Sequence, residues 1–162
     1  CYSDLDLDKL ALETVRAVIP FARDENLENA FLTALFNGVK LSVKAGKRGE
    51  ALTLLEEAQK LNWDYHHEIA CSTAKVLLLA SIPEPAQSIY LRVISSYRLD
   101  DSRIDFRRSL SQSKAFIGLA LISKKQNDGK NSRLYAGQAK AILEGLPRKV
   151  GLDERLMLET LL

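Results

Sequence analysis

With 162 residues, 46% of them hydrophobic and 27% charged, the chain is long enough to bury one substantial core and too apolar to be disordered. No apolar run reaches the roughly 18 to 20 residues that a spanning helix needs, which excludes a transmembrane segment of that kind. The net charge of +2 hides an asymmetry, since residues 1–81 hold nine Lys and Arg against twelve Asp and Glu while residues 82–162 hold fourteen against nine.

Taken in chain order, the sequence predicts helices and no strand. Leu7, Leu10, Val15, Val18 and Ile19 recur at helical spacing behind Asp4, Asp6 and Asp8, so helix one is expected near residues 5–19, ended or bent by Pro20. Asn26 is the expected cap of helix two, whose side is marked by Leu27, Phe31, Leu35, Val39 and Val43 and which closes near Gly46. Helix three covers about Gly49 to Leu61. Asp64 is placed to cap helix four, which stops before Pro83. Helix five carries Pro85 in its first turn and Ile89, Val93 and Tyr97 on its core side. Helix six is longer, with Phe106, Leu110, Phe116, Ile117, Leu119 and Leu121 as its apolar set. Residues 127–133, NDGKNSR, have turn composition and are expected to be the most mobile internal loop. Helix seven runs from about Arg133 to Leu146, and an eighth helix follows, with Leu152 as the apolar residue ahead of Asp153, its expected cap.

The spacing within helix three carries the architecture. Leu52, Leu54, Leu55 and Leu61 already supply a core face, yet Ala51 and Ala58 are small, as they must be where another helix approaches closely. Gly46, Ala51, Leu55 and Ala58 fall at the separations of the tetratricopeptide repeat, so residues 33–63 resemble one such repeat. The next hairpin offers Ala74, Ala86, Tyr90 and Val93, and Ala51 to Ala86 is 35 residues, close to the family's 34. Beyond it the period breaks, and Gly118 and the Ala136 to Leu143 face are what remain of the pattern; Ala11, Val15 and Val18 repeat it upstream, but 40 residues before helix three.

The resemblance implies an all-α fold of antiparallel helix hairpins stacked as a right-handed solenoid of about eight helices, spanning 1–162 as one domain. If helices two and three, four and five, and six and seven pair, helices one and eight lack partners, and the chain is expected to be a fragment of a longer array. On that phase the groove falls to the first helices of each pair, with Asn37, Lys40, Lys75, Gln112 and Lys114 as partner-binding candidates; Asn37 and Lys40 are suited to a peptide backbone or a carboxylate. Helix eight, with Leu156, Met157, Leu158, Leu161 and Leu162, is expected to leave an apolar surface for self-association or a partner.

Chemistry has few candidates. His67 and Cys71 lie four apart, as half of a zinc site would, but no second His or Cys pair has ligand spacing, and Ser72 or Cys71 with His67 lacks the strained turn and oxyanion donors of a nucleophile site. The KAGKRGEA stretch lacks the spacing and the Ser or Thr of a phosphate loop. No catalytic residue, metal or cofactor is expected. Arg103, Arg107, Arg108 and Lys114 are interleaved with Asp100, Asp101 and Asp105, a solvated face before a phosphate track, which makes nucleic acid the weakest partner class. The expected function is a scaffold binding a protein or peptide; the alternative is a regulatory or sensor domain of a signalling or transcription protein. Cytoplasm or nucleus is the expected location, with a lipid anchor on the envelope the alternative if Cys1 is a processed lipoprotein cysteine.

Overall fold

A computed structural model describes residues 4–63, 66–96 and 106–161, and within them the protein is all-helical. The helices are α1 (Asp4–Asp24), α2 (Glu28–Lys44), α3 (Arg48–Gln59), α4 (His67–Leu79), α5 (Pro83–Ser95), α6 (Phe106–Lys125), α7 (Gly129–Glu144) and α8 (Leu152–Glu159). Contacts divide the chain into two compact units, Cys1–Ile69 and Ala70–Leu162. The expected cap Asp64 and the core residue Tyr97 lie outside the described residues, as do Cys1 and Leu162.

In the first unit α2 is the central helix, packed by α1 and by α3. Glycine at position 38 permits this: a Cβ there would come within 2.8 Å of Leu54 Cδ1 from α3 and 3.3 Å of Val15 Cγ1 from α1. Leu32, Leu35, Phe36 and Val39 fill the rest of that core, and Trp63 closes it. The indole meets Phe36 edge-on at 5.1 Å and donates its N–H to the Ala58 carbonyl at 2.7 Å, which satisfies its buried polar end. At the surface Arg16 reaches Glu50 in a two-pronged contact of 2.7 and 2.5 Å, and Arg23 pairs with Glu57. These exposed pairs set the register of α1 against α3 more than they stabilise it.

Helix α1 departs from expectation twice. It continues through Pro20 to Asp24, because an exposed proline forfeits only one backbone bond on the solvent side. Its buried residues are Leu12, Ile19 and Ala22, with Val15 beside them, whereas Leu7, Leu10 and Val18 from the expected core set are exposed.

Four helix connections share one geometry. Asn26, Gly46, Ser81 and Asn127 each take positive φ, between 53° and 71°. The N–H of each bonds the carbonyl three residues back, and the next N–H reaches the carbonyl five back, as in Leu27 to Ala22, Lys47 to Ser42, Ile82 to Leu77 and Asp128 to Ser123 at 2.8–2.9 Å. This is the Schellman termination, and the residue after the left-handed one becomes the N-cap of the following helix. Asn26 therefore ends α1, and Leu27 opens α2 in the capping position expected of Asn26. Likewise Pro83, ahead of Pro85, begins α5. In each following helix the residues five, nine and twelve beyond the left-handed one are buried: Phe31, Leu35 and Gly38; Ala51, Leu55 and Ala58; Ala86, Tyr90 and Val93; Ser132, Ala136 and Ala139.

In the second unit α6 is central, contacted by α5, α7 and α8. Gly118 lets the Tyr90 ring lie directly on the α6 backbone, since a Cβ there would overlap the ring. Phe116, Ile117 and Ala120 face Ala136, Ala139 and Leu143 of α7, with Tyr135 stacked beside Phe116 at 6.3 Å. Phe106, by contrast, is exposed. The stretch expected to be a mobile loop is mostly helix. Only Asn127 and Asp128 form the turn, and from Gly129 onward the chain is α7, because the Asp128 carboxylate accepts from the Asn131 backbone N–H at 3.1 Å and nucleates the first turn. Two cations finish the helix ends: Arg155 donates to the carbonyls of Leu143, Leu146 and Val150, and Lys124 Nζ donates to the Thr160 carbonyl at 3.0 Å.

Candidate partner-binding surface

Where α1 and α3 leave α2 accessible, a polar line runs through Thr33, Asn37, Lys40 and Lys44, with Leu41 and Val43 also half-buried and Glu28, Asn29 and Ala30 exposed at the helix start. The positions of the polar line step by four, three and four, so they form one ridge. Asn37 and Lys40 are half-buried on it. Burial holds the Lys40 ammonium below its usual range, and repulsion from Lys44 lowers it further. Lys44 is turned to Asp8, at 3.3 Å.

The same line exists on α4. Counting back from the left-handed residue, Lys40 stands six before Gly46 and Lys75 six before Ser81, and Glu68, Ser72, Lys75 and Leu79 repeat the steps of the α2 ridge. Lys75 is exposed, and so is Leu79 beside it. On α6 the candidates separate. Gln112 and Lys114 are half-buried but only two residues apart, so they point to different sides of the helix. Lys114 is engaged by Glu154 of α8 at 3.9 Å, which makes it part of the α6–α8 packing.

The apolar surface expected on α8 is largely consumed. Leu158 and Leu161 belong to the core with Phe116, Ile117 and Leu143, and Met157 packs against it. A short helix with one apolar side folds that side onto its nearest neighbours, here α6 and α7. Leu152 and Leu156 stay exposed; Leu162 lies outside the described residues.

Of the residues weighed for chemistry, the two histidines and Cys71 are built into the structure, while Ser72 is exposed. His66 and His67 are buried, with His66 Nε2 3.3 Å from the Asn29 carbonyl, and the Cys71 thiol donates to the Ser111 carbonyl at 3.4 Å. Among the described residues no three His, Cys, Asp or Glu side chains gather as a metal ion requires. An open pocket of about 420 Å³ was not anticipated from sequence; it is lined by Lys124, Asn127, Gly129, Ser132, Arg133 and Leu161. Its cations are engaged with carbonyls, Lys124 with Thr160 and Arg133 Nε with Gly129. No described helix is long and apolar enough to cross a membrane. No protein-family model, curated protein or solved structure matches the chain.

Proposed function

We propose that this chain is a non-enzymatic helical-repeat module of the tetratricopeptide type, its hairpins stacked as a right-handed solenoid, that binds a protein or peptide partner along the polar ridges of its first helices. The observation that carries the reading is the turn shared by the proposed hairpins: Gly46, Ser81 and Asn127 join α2 to α3, α4 to α5 and α6 to α7 with one hydrogen-bond pattern, each followed by buried residues at the same three positions. Local geometry repeated in register is what a chain of equivalent hairpins requires.

On the α2 ridge, Asn37 offers both an amide donor and an acceptor to a peptide backbone, and Lys40 offers a desolvated cation to a carboxylate. Lys75 sits in the equivalent register on α4. A pool of acidic peptides with free C-terminal carboxylates, read by fluorescence anisotropy against the same pool amidated, tests this. Binding of the free-acid peptides, weakened at least several-fold by Lys40→Ala with Asn37→Ala, is the expected result. Equal binding by the double variant would remove the ridge from the function.

A further inference from the structure

Helix α1 is apolar on two faces, and the fold uses one. Leu12, Val15, Ile19 and Ala22 meet the rest of the first unit, while Leu7, Leu10, Val18 and Phe21 remain 52%, 60%, 39% and 61% exposed. With Ala11, Thr14 and Ala17 these residues step by three and four along a single stripe, some 125° around the helix from the buried one. A stripe of this spacing over two heptads is the seam by which one helix packs on another.

The order of residues along the stripe identifies the other helix. Reading outward from Thr14 in the two directions, Ala11 is matched by Ala17, Leu10 by Val18 and Leu7 by Phe21. Small residues lie at the centre and large ones towards both ends. A stripe that reads alike from either end is complementary to itself when turned antiparallel. The two-fold axis then passes Thr14, the alanines let the helices approach closely, and each Leu7 meets Phe21 of the other copy.

We propose that two copies of this chain associate through antiparallel α1 helices about an axis at Thr14. The inference stands apart from the proposed ridge on α2 and does not depend on it. Four half-exposed large side chains from each copy amount to roughly 800 Å² in total, below the standard size of a specific interface, so the association is weak and is expected at concentrations on the order of 100 μM. One feature of the pairing opposes it: Glu13 lies on the flank of the stripe and falls within two residues of the other copy's Glu13.

Sedimentation velocity of the full chain from about 1 μM to a few hundred μM should show monomer passing to dimer. Leu10→Asp with Val18→Asp should abolish the shift; both residues are exposed, so the variant retains its far-UV circular dichroism. Glu13→Gln should tighten association about twofold, and Leu156→Asp on α8 should leave it unchanged. In a Cys1→Ser background, Thr14→Cys should be joined by a short bis-maleimide. Leu7→Cys should not, since antiparallel pairing holds the two copies of that residue about 21 Å apart along the axis. A chain that stays monomeric, a dimer indifferent to the α1 variants or lost with Leu156→Asp, or equal cross-linking at positions 7 and 14 would overturn the proposal.

Discussion

Gly118→Ala separates packing from propensity more cleanly than any other single change in the second unit. In an ordinary helix interior, alanine is favoured over glycine by about 1 kcal/mol. Here the new methyl would fall inside the Tyr90 ring. The ring is buried, with its phenol pushed well above its ordinary range by desolvation and then by Cys71, so it has no open side to swing into. Either α5 and α6 part or the ring leaves its rotamer, at about 1–3 kcal/mol or slightly more for overpacking, which outweighs the propensity gain. The net loss, about 1 kcal/mol, lowers the melting temperature of a chain this size by roughly 2–4 °C. Urea denaturation followed by circular dichroism measures it, and the cycle with Tyr90→Leu tests the cause: the smaller residue should absorb most of the Gly118→Ala penalty, giving a coupling of at least about 1 kcal/mol. A Gly118→Ala chain as stable as wild type, or strictly additive effects, would refute the contact.

Three further changes probe the fold. Ala58→Leu should cost about 1–3 kcal/mol, because Ala58 is fully buried between α3 and its neighbours, while Glu56→Gln on the exposed side should leave the urea midpoint unmoved. Ser42→Ala should raise the midpoint by the equivalent of about 1 kcal/mol, since the Ser42 hydroxyl is buried without a hydrogen-bond partner among the described residues. The Asp128 carboxyl is held below its usual range first by the Asn131 backbone N–H and then by the Asn131 side chain. Its contribution is therefore present above the ordinary carboxylate range and lost as pH falls through the lowered value, and Asp128→Asn should flatten that part of the acid-denaturation curve.

Sequence periodicity located the helices but not the choice among their faces. In α1 the Leu7, Leu10 and Val18 face and the Leu12, Ile19 and Ala22 face are equally apolar to a periodicity argument, and only the shape of α2, with Gly38 admitting Val15, decides between them. The third hairpin was obscured for a related reason. Its turn is equivalent to the one at Gly46, but the left-handed position is Asn127, whose side chain tolerates positive φ, and the first small position is Ser132. Serine fits an alanine site here because its hydroxyl donates to the Ala120 carbonyl at 3.1 Å. Glycine and alanine are one solution to a close helix crossing, and a search for those letters misses the others. The burial of Leu158 and Leu161 is not legible locally, because nothing in their own stretch tells whether α6 and α7 are within reach, while Leu156 of the same helix stays exposed. Among the groove candidates, the half-burial of Asn37 and Lys40 follows from α1 and α3 flanking α2, a tertiary fact. The equal register of Lys40 and Lys75 was legible once the turns were aligned.

Lys40 offers the sharpest test of whether the α2 ridge serves stability or binding. Its lowered pKa arises first from burial and second from Lys44, so the fold disfavours the charged form. For a lysine the sign follows directly: a folded value below the unfolded one means that folding is weaker while the group is protonated, and that the deficit fades as pH rises through the lowered value. At neutral pH the protein therefore carries a cation that works against its own stability. Lys44, which adds to the repulsion, is held toward Asp8 and not toward any anion at Lys40. Lys40→Met keeps the aliphatic stem that packs along α2 and removes the charge. Its urea midpoint at pH 7 should rise above wild type, and the gap should narrow as pH approaches the alkaline range. Its preference for free-acid over amidated peptides should disappear in the same preparation. A variant that is less stable than wild type at pH 7 would mean that the ammonium is satisfied within the fold. A variant that is more stable yet binds free-acid peptides as wild type does would place recognition away from the ridge.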